Sequence, residues 1–168
     1  FRRETHVEGK QIMPNDFITG IIERAQKTPK RVCLPESASA DVVALAQRID
    51  AEGLGTPVLI GNESEVRNLA ASAGAPEFSF ECFDNADEAA VESLVDEYLS
   101  RFDNFSRKAC TRRAKDPLLC SMLLLKLGRV DCVAAGKECP TGDVIQAAMG
   151  IVGLAEGVRS PSSLGIAD

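Results

Sequence analysis

Short apolar runs closed by proline or glycine alternate along this chain with longer amphipathic stretches, and that alternation is what most restricts its fold. Residues 30–35 (Lys-Arg-Val-Cys-Leu-Pro) read as a buried strand that Pro35 stops, because proline cannot donate to a sheet ladder. Residues 41–52 carry Val42, Val43, Leu45, Ala46 and Ile49 at helical spacing ahead of Gly53 and Gly55, the pattern of a helix closed by glycine. Residues 57–62 form a second strand running into a turn, 64–73 a helix, and 79–83 an alternating third strand. A helix over 16–26, capped by Asn15 or Asp16, precedes them all. Helices and strands in this order make an α/β domain, with three αβα layers around a mainly parallel sheet.

The second half of the chain opens with a charge reversal. Residues 76–100 hold eight acidic residues and no basic one, mostly on a long helix from about Ala86. Arg101, Arg107, Lys108, Arg112, Arg113 and Lys115 then follow, opposed only by Asp103. This basic patch reads either as a face that salt-bridges the acidic helix or as a place to draw in a small anion. An apolar helix over 118–127 ends at Gly128, and 130–135 form the fourth strand.

The turn after that strand, Gly136-Lys137-Glu138-Cys139-Pro140-Thr141-Gly142-Asp143, leads into a helix expected over 144–154. In an open parallel sheet ligands sit beyond the carboxyl ends of the strands, against helix N-termini that favour anions. Thr141 supplies a hydroxyl, Gly136 and Gly142 allow close backbone approach, and Asp143 can cap the helix or hold a polar group. The pattern leaves two readings open, a phosphate-handling site and an ordinary strand-to-helix turn. The spacing is not a Walker A loop, and no Gly-x-Gly-x-x-Gly follows a strand, which argues against a dinucleotide binder.

Composition narrows the function classes. A formal net charge of -6 gives no electrostatic footprint for nucleic acid. The apolar stretches 118–125 and 144–154 fall short of the roughly 20 residues a membrane helix needs. The six cysteines show no Cys-x-x-Cys pair, and His6 is the single histidine, so neither a zinc site nor a Cys-His catalytic pair is expected. Scattered cysteines among apolar neighbours read as reduced thiols of a cytoplasmic protein. Residues 1–15 begin Phe-Arg-Arg-Glu without Met or an apolar run, and read as a ragged, trimmed leading segment ahead of a domain over 16–168.

Three stretches, in order and at matching intervals, carry a family resemblance: 31–36 (Arg-Val-Cys-Leu-Pro-Glu), 51–61 (Ala-Glu-Gly-Leu-Gly-Thr-Pro-Val-Leu-Ile-Gly) and 130–143. The likeness continues through Ala147-Ala148-Met149-Gly150-Ile151-Val152-Gly153 to Ser162 and Ser163. Together they resemble the first, N-terminal half of the phosphate acetyltransferases (phosphotransacetylases) and phosphate butyryltransferases. The resemblance implies the isocitrate/isopropylmalate dehydrogenase-like superfamily fold. It also implies reversible transfer of an acetyl or other short acyl group between coenzyme A and inorganic phosphate, with coenzyme A as substrate and no bound cofactor or metal. In that chemistry a base deprotonates the thiol, the thiolate attacks the acyl phosphate carbonyl, and polar donors stabilise the oxyanion. It further implies a second half, absent here, that holds most catalytic groups and a homodimer contact. Substrate-binding positions carried over are Arg101, Gly136, Thr141, Asp143, Ser162 and Ser163.

The departures are specific. The family pattern Gly-Ala-x-His-Ser-Thr-Ala-Asp-x-x-Arg-Pro meets Cys139 at its His, Pro140 at its Ser, Gly142 at its Ala, Gln146 at its Arg and Ala147 at its Pro. The family's Arg-Lys-x-Lys-Gly appears as Arg101-Phe102-Asp103-Asn104-Phe105. A neutral Gln supplies neither the charge nor the bidentate fork of arginine, although Lys137 adds one cation to the turn. Cys139 is open to two readings, a low-pKa thiol and an inert packed one. Two functions remain: an acyltransferase with an altered substrate loop, and an inactive relative that binds a metabolite or a partner subunit.

Overall fold

The computed structural model describes residues 14–72 and 78–162. Its helices are α1 (Pro14–Lys27), α2 (Ala40–Ala51), α3 (Glu63–Ser72), α4 (Glu88–Arg101), α5 (Arg107–Ala114), α6 (Pro117–Lys126) and α7 (Thr141–Ala147), which continues as a π-helical turn over Ala148–Val152. Its strands, β1 (Lys30–Leu34), β2 (Gly55–Ile60), β3 (Glu81–Phe83) and β4 (Cys132–Val133), form one sheet in the order β3-β2-β1-β4. Every pairing is parallel, with Lys30 opposite Gly55, Val32 opposite Cys132 and Val58 opposite Glu81.

Alternation along β1 and β2 sorts two cores onto opposite faces of the sheet. Cys33, Val58 and Ile60 join Val91, Leu94, Val95 and Tyr98 of α4, Cys110 of α5 and Leu123 of α6. Leu34 and Leu59 point the other way, onto Val42, Val43, Ala46 and Ile49 of α2 and Val66 and Ala70 of α3. Helices therefore cover both faces, the three-layer α/β arrangement expected from the strand and helix order.

Most boundaries match the sequence reading within a few residues, and the differences have causes. β2 starts at Gly55 rather than Pro57. β3 pairs only with Val58–Ile60, so at Pro57 the strand has a single neighbour and one missing N–H is tolerated. β4 is shorter than expected, though Asp131 N–H donates to Arg31 O and Ala134 N–H to Cys33 O, each at 2.9 Å, extending the ladder on both sides. α7 begins at Thr141 instead of Val144, directly behind Pro140, and passes into the π-helical turn that Gly153 ends at φ 84°. α1 takes in Pro14 and Asn15 from the leading segment; the remainder of that segment with His6, the expected helix end at Ala73, and Ser163 lie outside the described residues.

One helix was not expected. α5 lies inside the basic patch, where its apolar stripe is only Ala109, Cys110 and Ala114. Ser106 caps it by accepting from the Ala109 N–H, and Cys110 and Ala114, four residues apart, are fully buried. Its charges do what the solvated-face reading anticipates. Arg107 pairs with Asp96 and Lys115 with Glu88 at 3.5 Å, tying the basic segment to the acidic α4, while Arg101, the last residue of α4, pairs with Glu97 of the same helix at 3.0 Å.

Candidate functional site

The carboxyl ends of β1, β2 and β4 converge on a cleft of about 850 Å³. Pro35 to Ser39 line it from β1, Ile60 to Asn62 from β2, Glu138 and Cys139 from the turn after β4, and Asp116 and Pro117 from the start of α6. Each wall is fixed locally. Ser37, nearly buried, donates its hydroxyl to Ile60 O. Gly61 has φ 142°, and a Cβ there would lie 2.9 Å from Ser37 Oγ, so only glycine fits the corner. Asn62 Oδ1 accepts from the N–H groups of Ser64 and Glu65, which caps α3, while its amide donates to Asp84. Asp116 caps α6 by accepting from the Leu119 N–H at 2.9 Å.

The turn after β4 is built around a single carboxylate. Glu36 Oε1 accepts from the N–H of Glu138 at 2.8 Å and of Cys139 at 2.7 Å; Oε2 accepts from Gly136 and Lys137, both at 3.1 Å. Successive N–H groups that converge in this way form an anion-binding nest, and Gly136, at φ 113°, supplies the backbone turn that only glycine adopts readily. Burial pushes the Glu36 carboxyl up, but the N–H donors from Cys139, Glu138 and Lys137 outweigh it and hold it at about 2. Glu36 is therefore a fixed anion at neutral pH.

This geometry revises the reading of the turn as a phosphate cradle. Its converging N–H groups are already donated to the chain's own side chain. Lys137 does not add a free cation either, since its Nζ pairs with Asp41 of α2 at 2.7 Å. The Cys139 thiol is pushed above its ordinary value by burial, then by its hydrogen bond to Glu36, which sets aside the low-pKa reading. Gly142 lies in α7 with open space where a Cβ would be, so it carries no steric requirement.

The candidate residues separate into groups. Gly136, Thr141 and Asp143 come together along the turn and the first turn of α7; Asp143 is inside that helix rather than its cap, which is Pro140. Arg101 is elsewhere. Its guanidinium donates to Glu97 of its own helix and, at 3.2 Å, to Leu127 O, which precedes β4 and so places it toward the amino end of the sheet. Ser162 is exposed and in no regular element. A second cavity of about 430 Å³ shares Asp116, Leu118 and Cys139 with the cleft and adds Asp143, Gln146 and Arg113. Arg113, from the unexpected α5, is held 4.0 Å over the Phe105 ring and donates to Ala109 O.

The charge of the main cleft was not read from the sequence. Its ionisable oxygen groups are Glu36, Glu65, Asp116 and Glu138, and among the described residues no Lys or Arg lines it. Glu36 stood inside a quoted motif, yet nothing in its spacing tied it to residues a hundred positions on. Among the described residues no group of His, Cys, Asp and Glu is placed to hold a metal ion, and no helix is long and apolar enough to cross a membrane.

A parallel α/β domain with an open cleft at the carboxyl ends of its strands is the class that fold and site define. Residues 16–168 match the family described as phosphate acetyl/butaryl transferase, and the chain belongs to it. It is 30% identical over 147 residues to a phosphate acetyltransferase of Acetivibrio thermocellus, covering 88% of this chain and 44% of that protein. Against the phosphate acetyltransferase of Escherichia coli it is 26% identical over 163 residues, covering 95% of this chain and 22% of the other. A phosphotransacetylase structure from Streptococcus pyogenes superposes with a TM-score of 0.74 at 23% identity, over 88% of this chain and 45% of that one. The chain thus spans less than half the length of each of these relatives.

Proposed function

We propose that this chain is the first half of a phosphate acyltransferase that moves an acetyl or other short acyl group between coenzyme A and inorganic phosphate. The observation that carries the reading is the family match over 16–168, nearly the whole chain. In the reaction the thiol proton passes to a base and a sulfur–carbon bond forms at the acyl carbonyl. The carbon–oxygen bond to phosphate breaks, and phosphate departs with the electron pair. On this reading the second half supplies the base, most donors to the reacting atoms and the homodimer contact, and the present domain supplies one wall of the site. Asp143, which lines the second cavity, and Thr141, two residues before it in the same helix, are its candidate substrate contacts, with Ser162 and Ser163 following. Six free cysteines, several fully buried, favour a reducing compartment such as the cytoplasm. The isocitrate/isopropylmalate dehydrogenase-like superfamily is the fold-level assignment that accompanies this reading.

A second reading is favoured by the charge of the cleft and by Gln146. A cleft lined by carboxylates, with a neutral side chain where the family pattern has arginine, suits an inactive relative that binds an uncharged metabolite or a partner subunit. Transfer from acetyl phosphate to coenzyme A, measured on the protein at the length of its relatives beside a Gln146→Arg variant, decides between them. Turnover by the wild type supports the enzyme. Absence of turnover in both, across several acyl phosphates, selects the inactive relative.

A further inference from the structure

We propose that Glu36 is a positioning residue for the transfer reaction: the fixed anion around which the turn 136–139 is folded and held against the cleft. This rests on the acyl-transfer reading above. Glu36 follows β1 directly, between Pro35, which is buried at the strand's end, and Ser37, whose hydroxyl holds Ile60 O of β2. Its backbone is thereby set by the two central strands. Its carboxylate then collects the N–H groups of four consecutive residues that follow β4, so one side chain carries the order of the central sheet to a turn without a regular ladder of its own.

What the turn carries gives this consequence. Cys139 lines both cavities, Glu138 lines the larger one, and Pro140 is the cap from which α7 starts, with Thr141 and Asp143 in its first turn. Removal of the carboxylate leaves four N–H groups without their acceptor, and the turn relaxes toward water with both cavity walls attached to it. Glu36→Gln does not substitute, because its single oxygen serves half the donors and its NH₂ faces the other half. Glu36→Ala instead leaves an anion-sized space that a small free carboxylate can enter. The nest thereby has a different use from a phosphate cradle: its donors hold the wall, and substrate phosphate is held elsewhere.

The test is transfer kinetics on the protein at the length of its relatives, for wild type, Glu36→Ala and Glu36→Gln, with and without formate, beside thermal midpoints. Misplacement of a site wall is expected to lower kcat/KM by about 10- to 100-fold in both variants. Formate is expected to restore most of the loss in Glu36→Ala and none in Glu36→Gln. An unchanged kcat/KM in Glu36→Ala overturns the proposal, as does formate that restores the midpoint without restoring transfer, since that marks a role in stability alone. The amide resonances of Gly136 to Cys139 in the 168-residue chain give a readout without turnover. They are expected to shift in both variants and to return with formate only in Glu36→Ala; resonances that stay in place also overturn it. A wild type with no transfer but with this formate pattern sinks the acyl-transfer reading and leaves the Glu36 geometry standing.

Discussion

β1 and β4 are tied together at both ends by carboxylates, and the two ties are of different kinds. At the amino end Asp131 accepts from the Arg31 N–H at 2.8 Å and lies 3.7 Å from Lys30 Nζ, while the Arg31 side chain reaches Glu81 of β3. These partners are mostly long cationic side chains in solvent. At the carboxyl end Glu36 takes four backbone N–H groups and no cation. An exposed ion pair must order two flexible side chains in high dielectric, whereas backbone donors are already placed by the chain. The same chemical group, a carboxylate, is therefore an adjustable surface contact at one end and a structural anion at the other.

The largest effect that separates the two ends is expected from Glu36→Ala. Urea unfolding of the 168-residue chain should show a loss of about 2 kcal/mol, the size of hydrogen bonds to a charged group left unmade. A loss no larger than that of an amino-end variant breaks the comparison. Gly136→Ala comes next, at about 1–2 kcal/mol, because φ 113° is strained for any residue with a Cβ while the nest itself is left intact. Glu81→Gln is expected to cost about 0.5 kcal/mol or less, vanishing in high salt. Smallest is Asp131→Asn, whose side-chain oxygen still accepts from Arg31 N–H; its unfolding midpoint should be indistinguishable from wild type.

How far the sequence revealed this molecule depends on the range of the forces involved. Most helices and strands were legible because each is specified locally: Val42, Val43, Ala46 and Ile49 mark the buried face of α2, and the apolar run after Pro117 marks α6. α5 was hidden because small Cys110 and Ala114 do its packing beneath a run of Arg and Lys. Its Ser106 cap and four-residue spacing were the available signal. The turn 136–143 was singled out from its glycines and its place after a strand, and Gly136 there takes φ 113°. That Glu36 fills it depends on β1 and β4 being neighbours, a pairing that the order of elements leaves open. Arg101 was carried over from a motif, and the fold takes it to Leu127 instead.

The claim that one carboxylate organises the turn is tested most directly by following the amide resonances of Gly136, Lys137, Glu138 and Cys139 while the pH is lowered. The folded carboxyl at about 2 lies below its ordinary 4.5, so the stability Glu36 contributes is fully present above 4.5 and is lost as pH falls toward 2. The four resonances are expected to move together with a midpoint near 2, and the transition to be absent in Glu36→Gln. Resonances that titrate separately, or together near 4.5, would contradict it.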